Sequence, residues 1–163
     1  MSFSLKIKRM KPNKFYVLIA FGMLFVACRQ ENSLKEYLVN TWQTTYLKIE
    51  MPTINRTDSL EVYEDKFEGN PELVAQSKYN KDGTFSAWFV NQEGKHVSPS
   101  KGKWNVVGDS LFVDFFYNGK DVKASYHITK TAEGFIGVSK YDWDEDGDSD
   151  DTLTMKTKSI KIN

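Results

Sequence analysis

From residue 41 onward the chain alternates. Val122, Ala124, Tyr126 and Ile128 fall on one side of an extended segment, and Lys123, Ser125, His127 and Thr129 fall on the other. Leu111, Val113, Phe115 and Tyr117 form a similar row, as do Gly102, Trp104 and Val106. A period of two with one apolar side marks a strand that buries one face and wets the other. Read this way, the chain predicts strands over residues 41–51, 60–67, 73–79, 84–90, 101–107, 111–117, 122–129, 135–141 and 152–162. Asp82-Gly83, Gly108-Asp109 and Asn118-Gly119 supply tight hairpin turns, because glycine and asparagine tolerate positive φ. Glu93-Gly94 and Glu133-Gly134 serve slightly longer ones. Links this short join antiparallel neighbours, since a parallel return needs a long crossover. The expected architecture is therefore an all-β, up-and-down antiparallel meander. Closing about eight or nine such strands into a small barrel removes exposed edges. A two-sheet sandwich is the second arrangement compatible with the pattern. Residues 33–39 (SLKEYLV) precede the first strand and predict a short helical turn, with Ser33 as cap and Leu34, Tyr37 and Leu38 at helical spacing.

The first 27 residues follow a different pattern. Lys6, Lys8, Arg9, Lys11 and Lys14 occur with no acid, and an uncharged run of 13 residues then extends from Phe15 to Ala27. A membrane-spanning helix needs about 20 residues. A basic head, a short apolar run and a small residue before the cut are the features of a secretory signal. Leu24-Phe25-Val26-Ala27-Cys28 resembles the lipobox of bacterial lipoproteins, in which lipid joins the cysteine thiol before cleavage. Phe25 stands where that family usually has an aliphatic residue. Cys28 is the only cysteine, so it has no disulfide partner in the chain. The expectation is a signal peptide over residues 1–27, a lipidated tether over 28–33 and a barrel domain over 34–163. The chain would be attached to a membrane through the lipid on Cys28. Arg29 follows the cysteine, with no aspartate there to retain the protein at the inner membrane. This points to the outer membrane of a Gram-negative cell envelope. Met10 begins a complete signal by itself, so either Met1 or Met10 can be the start.

Removing the signal changes the charge. The full chain has 22 basic and 22 acidic residues, and residues 28–163 keep 17 and 22, a net charge of −5. A mildly acidic domain gives no reason to expect a nucleic-acid partner, whose recognition rests on clustered Lys and Arg.

Three stretches carry a second resemblance. LVNTW (38–42), AQSKYNKDGTFSAWF (75–89) and KGKWNVVGDSLFV (101–113) are similar to the lipocalin-like domains of exported bacterial lipoproteins. In that family an early tryptophan opens the first strand. A strand ending in an aromatic then runs into a DGT hairpin, followed by a G-x-W strand and a GD-x-L turn. Trp42, Tyr79, Asp82 to Phe85, Gly102 with Trp104, and Gly108 to Leu111 occupy those places, although Asn40 stands where the family opens with glycine. The resemblance implies an up-and-down barrel with a small-molecule cavity. It also implies a basic residue on the last strand covering the first tryptophan, for which Lys156 and Lys158 are available.

Signals for catalysis are poor, and the expectation is that the protein is not an enzyme. The only histidines, His96 and His127, belong to no metal-binding spacing. There is no nucleophile elbow, phosphate loop or dinucleotide fingerprint. The aromatics are numerous enough both to fill a core and to line an apolar pocket. Trp42, Phe85, Phe89, Trp104, Phe115 and Tyr126 are the candidate ligand-binding residues. The first functional reading is a binder of a small apolar ligand. The second is a structural or protein-interaction module of the envelope with a filled core. Residues 84–90 and 111–117 are apolar on both faces, so the helical turns, a membrane or a partner would cover Trp88, Val90, Phe112 and Phe116. Finally, seven of the ten residues from 142 to 151 are acidic, in the order D-W-D-E-D-G-D-S-D-D. Asp142, Asp144, Asp146, Asp148 and Asp150 alternate around Gly147 like the opening of a calcium loop. Position twelve is Leu153 rather than glutamate, and the flanks predict strands. Both weak Ca²⁺ binding and a purely solvated turn fit that pattern.

Overall fold

The computed structural model describes residues 34–52, 59–69, 71–117 and 119–161. The expected export signal and the expected lipidation at Cys28 fall outside the described residues. Among the described residues nine strands follow a single helical turn at residues 34–38: β1 (Thr41–Met51), β2 (Glu61–Asp65), β3 (Leu73–Tyr79), β4 (Thr84–Asn91), β5 (His96–Val107), β6 (Ser110–Tyr117), β7 (Lys120–Lys130), β8 (Phe135–Tyr141) and β9 (Asp151–Ile160).

Every pairing is antiparallel, and β3 to β9 pair in sequence order. β9 then returns to β1, from Thr41↔Ile160 to Glu50↔Thr152, and closes an eight-strand barrel. That closure rules out the sandwich. The opposite edge of β1 is shared: Thr41 to Gln43 pair with β3, and Leu47 to Met51 pair with β2. β2 and β3 therefore lie along the same edge of β1.

Two irregularities shape the barrel. β1 shifts register between Thr44 and Tyr46, which leaves Thr45 as a bulge. In β5, Trp88 of β4 faces both Ser98 and Pro99, and Ser98 takes φ +50°. Proline lacks the N–H that a regular ladder needs, so it is tolerated at such a bulge.

The core is concentrated at one end. The helical turn, the β3–β4, β5–β6 and β7–β8 hairpins, and the end of β9 all lie there. Leu34 and Leu38 pack with Trp42, Tyr79, Phe85, Trp104, Val106, Leu111, Ile128 and Phe135. A helix of five residues has little stability of its own; burying Leu34 and Leu38 fixes it across this end. Trp42 is 2% exposed, with its ring 5.0 Å from Phe135 edge-on and 5.5 Å from Tyr37. Its indole N–H donates to the Leu38 carbonyl at 3.0 Å, and the Tyr37 hydroxyl donates to the Gly134 carbonyl. Among the described residues no lysine lies over the Trp42 ring. Lys156 instead lies 4.7 Å above the Tyr46 ring on the outer wall, and Lys130 lies 4.9 Å above Tyr37.

The G-x-W and D-G-T stretches brace one another. Trp104 donates its backbone N–H to Gly83 and its indole N–H to Asn80, each at 2.9 Å. Asp82 accepts from the Thr84 hydroxyl at 2.7 Å and from its amide at 2.9 Å. The Thr84 hydroxyl first, then its amide, hold the Asp82 carboxyl below its ordinary pKa. A Cβ at Gly102 would collide with the Asp114 carbonyl, so only glycine lets β5 and β6 meet here.

Candidate functional site

The two ends of the barrel are filled to different degrees. At the end opposite the helical turn, alternation turns Ile49, Ala87, Phe89, Val97, Phe115, Val122 and Tyr141 inward. All of them are only half-buried. Leu47 and Met155, paired across β1 and β9, are half-buried deeper in the same wall. An inward-facing apolar side chain that still meets solvent lines an open cup. The Phe85–Phe115 pair, 5.5 Å apart and edge-on, marks the boundary between the packed half and the open half.

The six candidate ligand-binding residues divide along this boundary. Trp42, Phe85, Trp104 and Tyr126 are buried in the packed half, whereas Phe89 and Phe115 belong to the open half. Burial raises the Tyr126 hydroxyl from 10.0 to about 12. Burial first, then the neighbouring Tyr126, also raises Tyr79. Neither phenol ionises near neutral pH.

The acidic residues 142–150 connect β8 to β9 at the rim of this cup. Asp142, Asp144 and Asp151 bring carboxylate oxygens within 4.8 Å of one another. Asp151 was not among the expected ligands: it opens β9, faces inward with Leu153, and is 1% exposed. The loop serves many of its carboxylates internally. Asp142 accepts from the Asp146 and Gly147 amides, each at 3.1 Å. Asp144 also accepts from the Asp146 amide at 3.1 Å, and Asp146 accepts from the Asp148 amide at 2.9 Å. Asp151 accepts from the Trp143 and Asp144 amides at 2.6 and 3.2 Å. Asp146 Oδ2 is buried and has no hydrogen-bond partner among the described residues. Gly147 takes φ +100° at the turn. Desolvation first, then the neighbouring carboxylates, raise Asp144 above its ordinary pKa, while its hydrogen bond from the Asp146 amide opposes them. Lys120, the first residue of β7, pairs with Glu145 of the loop at 2.6 Å.

Three inward polar groups lie in the same sector. Ser139 Oγ on β8 and the Trp143 indole nitrogen are buried, and neither has a hydrogen-bond partner among the described residues. Tyr141 lies between them in sequence, pairs with Asp151 across the ladder, and has its ring 5.0 Å from that of Trp143.

The outer wall differs from expectation. The helical turn caps the barrel end and leaves Phe112 and Phe116 on β6 at 44% and 58% exposed. An open groove of about 810 Å³ runs beside Phe112, along Lys103, Asn105, Asp114, Lys123 and Ser125. Trp88 is covered on its outward side: it stacks 5.0 Å from His96 and donates to Gln76 Oε1 at 3.0 Å. His96 is the first residue of β5. His127 is on the wet face as expected, 3.3 Å from Asp109. Among the described residues no helix is long and apolar enough to cross a membrane. No protein-family model matches the chain, and no curated protein matches it significantly.

Proposed function

We propose that this chain is a lipid-anchored protein of the cell envelope whose barrel receives a small apolar molecule at its open end and catalyses no reaction. The observation that carries the reading is the set of inward-facing, half-exposed apolar side chains around Ile49, Phe89, Phe115 and Val122. Each loses contact with water when an apolar guest enters, at roughly 25 cal/mol per Å² of apolar area. Concave, mainly apolar sites with a few polar groups are the usual form of small-molecule pockets. Phenylnaphthylamine, an apolar dye that fluoresces when it leaves water, tests this. Phe89→Ala should weaken its binding severalfold, and Phe112→Ser on the outer wall should leave it unchanged. The opposite ranking would move the site to the outer groove.

That ranking would support the second reading, an interaction module of the envelope. Its observation is that Phe112 and Phe116, on the outward face of β6 either side of Asp114, are both exposed, since exposed large aromatics on an outer wall are the usual material of protein contacts. The calcium reading of the acidic loop is a separate proposal. It now rests on Asp142, Asp144 and Asp151, with the partnerless Asp146 Oδ2 beside them. Without a bidentate glutamate the affinity belongs on the order of 10⁻⁴–10⁻³ M.

A further inference from the structure

Resting on the proposed binding at the open end, we infer that the ligand carries an uncharged oxygen that accepts hydrogen bonds, such as an ester, ketone or alcohol oxygen, on its apolar body. Trp143 and Ser139 are the residues that select it. The two side chains belong to one sector of the lumen. Ser139 and Tyr141 share the inward face of β8 by alternation, and Trp143 packs against the barrel core and the Tyr141 ring. Ser139 is 2% exposed, yet among the described residues no group bonds its hydroxyl, and the buried Trp143 N–H has no acceptor among them. Indole nitrogen can only donate, and a hydroxyl can donate as well as accept. A buried donor left without an acceptor costs about 1–3 kcal/mol, so these groups are placed to be satisfied by something that enters the lumen.

The sign of the partner follows from what lies beside them. Asp151 is buried across the ladder from Tyr141, and Asp142 and Asp144 complete a group of three carboxylates at the rim. A carboxylate or phosphate head would accept the same two hydrogen bonds but would be repelled by this group, in a setting where water screens poorly. A neutral oxygen accepts without that penalty.

Displacement of phenylnaphthylamine at pH 7 by probes of one chain length tests this on the purified protein. The probes are a fatty alcohol, the fatty acid methyl ester, the fatty acid and the alkane. The ester and the alcohol should displace the dye at least tenfold more strongly than the acid or the alkane. Ser139→Ala removes only the hydroxyl and Trp143→Phe keeps an aromatic ring without the N–H; each should weaken the ester two- to tenfold while leaving the alkane unchanged, with circular dichroism checking that the variant still folds. An acid that binds as well as the ester overturns the inference. So does an ester indifferent to both substitutions, which would mean that buried water satisfies the two donors. A dye that does not bind at all overturns instead the reading of the open end on which the inference rests.

Discussion

Removing the Trp42 ring should cost more stability than any exposed substitution on the barrel, and the amount can be built from its surroundings. The side chain is 2% exposed and touches two aromatic rings. Truncating a buried tryptophan to alanine costs about 3–5 kcal/mol. Each well-placed aromatic pair supplies about 0.5–1.5 kcal/mol beyond its area, and the bond to the Leu38 carbonyl about 0.5–1.5 kcal/mol. Trp42→Phe keeps a ring in place but loses that bond and part of the volume, so it should cost roughly 1–3 kcal/mol. His127→Ala removes an exposed side chain near Asp109 and should change stability by no more than about 0.5 kcal/mol. Urea melts give the three values, with an unchanged slope confirming that each variant unfolds as the parent does. The helical turn adds an internal check. Leu38 is fully buried against the same ring, so Leu38→Ala combined with Trp42→Ala should cost less than the two separate losses added together. A silent Trp42→Ala beside a damaging His127→Ala would refute the assignment of inner and outer faces.

Alkali should unfold the barrel through its buried phenols. Folding raises Tyr126 from 10.0 to about 12, so its share of stability is intact below pH 10 and is lost as pH rises through 12. That share is on the order of 2–3 kcal/mol, and tyrosinate absorbance against circular dichroism should show ionisation and unfolding together, with Tyr126→Phe shifting the transition. In acid, Asp82 and Asp144 should act oppositely. The lowered Asp82 contributes stability that disappears as pH falls below 3.8, and the raised Asp144 contributes stability that disappears as pH rises above 3.8. Melting temperatures from pH 3 to 7 should therefore show Asp82→Asn flattening the acid limb and Asp144→Asn stabilising the neutral side. Millimolar calcium should raise the melting temperature, magnesium should raise it less, and Asp144→Asn with Asp151→Asn should abolish the difference; a calorimetric titration without heat would leave the loop a charged turn. Cys28→Ser should yield a protein that is neither lipidated nor cut before residue 28. Intact mass and membrane fractionation read the result, and a lipid-bearing variant would contradict the export reading.

The strands were legible because each hairpin carries its own chemistry. Turns at Asp82-Gly83 and Gly108-Asp109 place their neighbours in register, and the alternation from Leu111 to Phe115 and from Val122 to Ile128 reads the buried face directly. The pattern failed where the backbone leaves its period. Ser98 and Pro99 look like a break, so the strand expected at residue 101 omitted five residues that the bulge in fact carries through from His96. The shared edge of β1 has no local signature, because nothing in residues 61–65 or 73–79 records that both segments meet the same neighbour. In the acidic loop, counting every second carboxylate selected Asp150. Asp151 joins Asp142 and Asp144 instead, because it is the first residue of β9 and takes the inward parity of Leu153.

Depth along the barrel is the property that alternation does not report, and it separates core from site here. Trp104 and Phe115 both face inward, yet the first is sealed and the second is half open. The meander itself holds the missing coordinate. Successive hairpins lie at opposite ends, so the turns at 82–83, 108–109 and 131–134 mark one rim, and those at 92–95, at Gly119 and at 142–150 mark the other. Phe85 and Tyr126 are nearest the first set; Phe89, Phe115 and Val122 are nearest the second. Which rim is closed then follows from the segment before β1, because Leu34 and Leu38 can reach only the end where β1 starts. An inward aromatic near the turns at that end fills the core, and one near the opposite rim is free to meet a guest. Applied to the chain alone, this rule moves Trp42, Phe85, Trp104 and Tyr126 out of the candidate pocket, keeps Phe89 and Phe115 in it, and brings Tyr141 and Trp143 beside them.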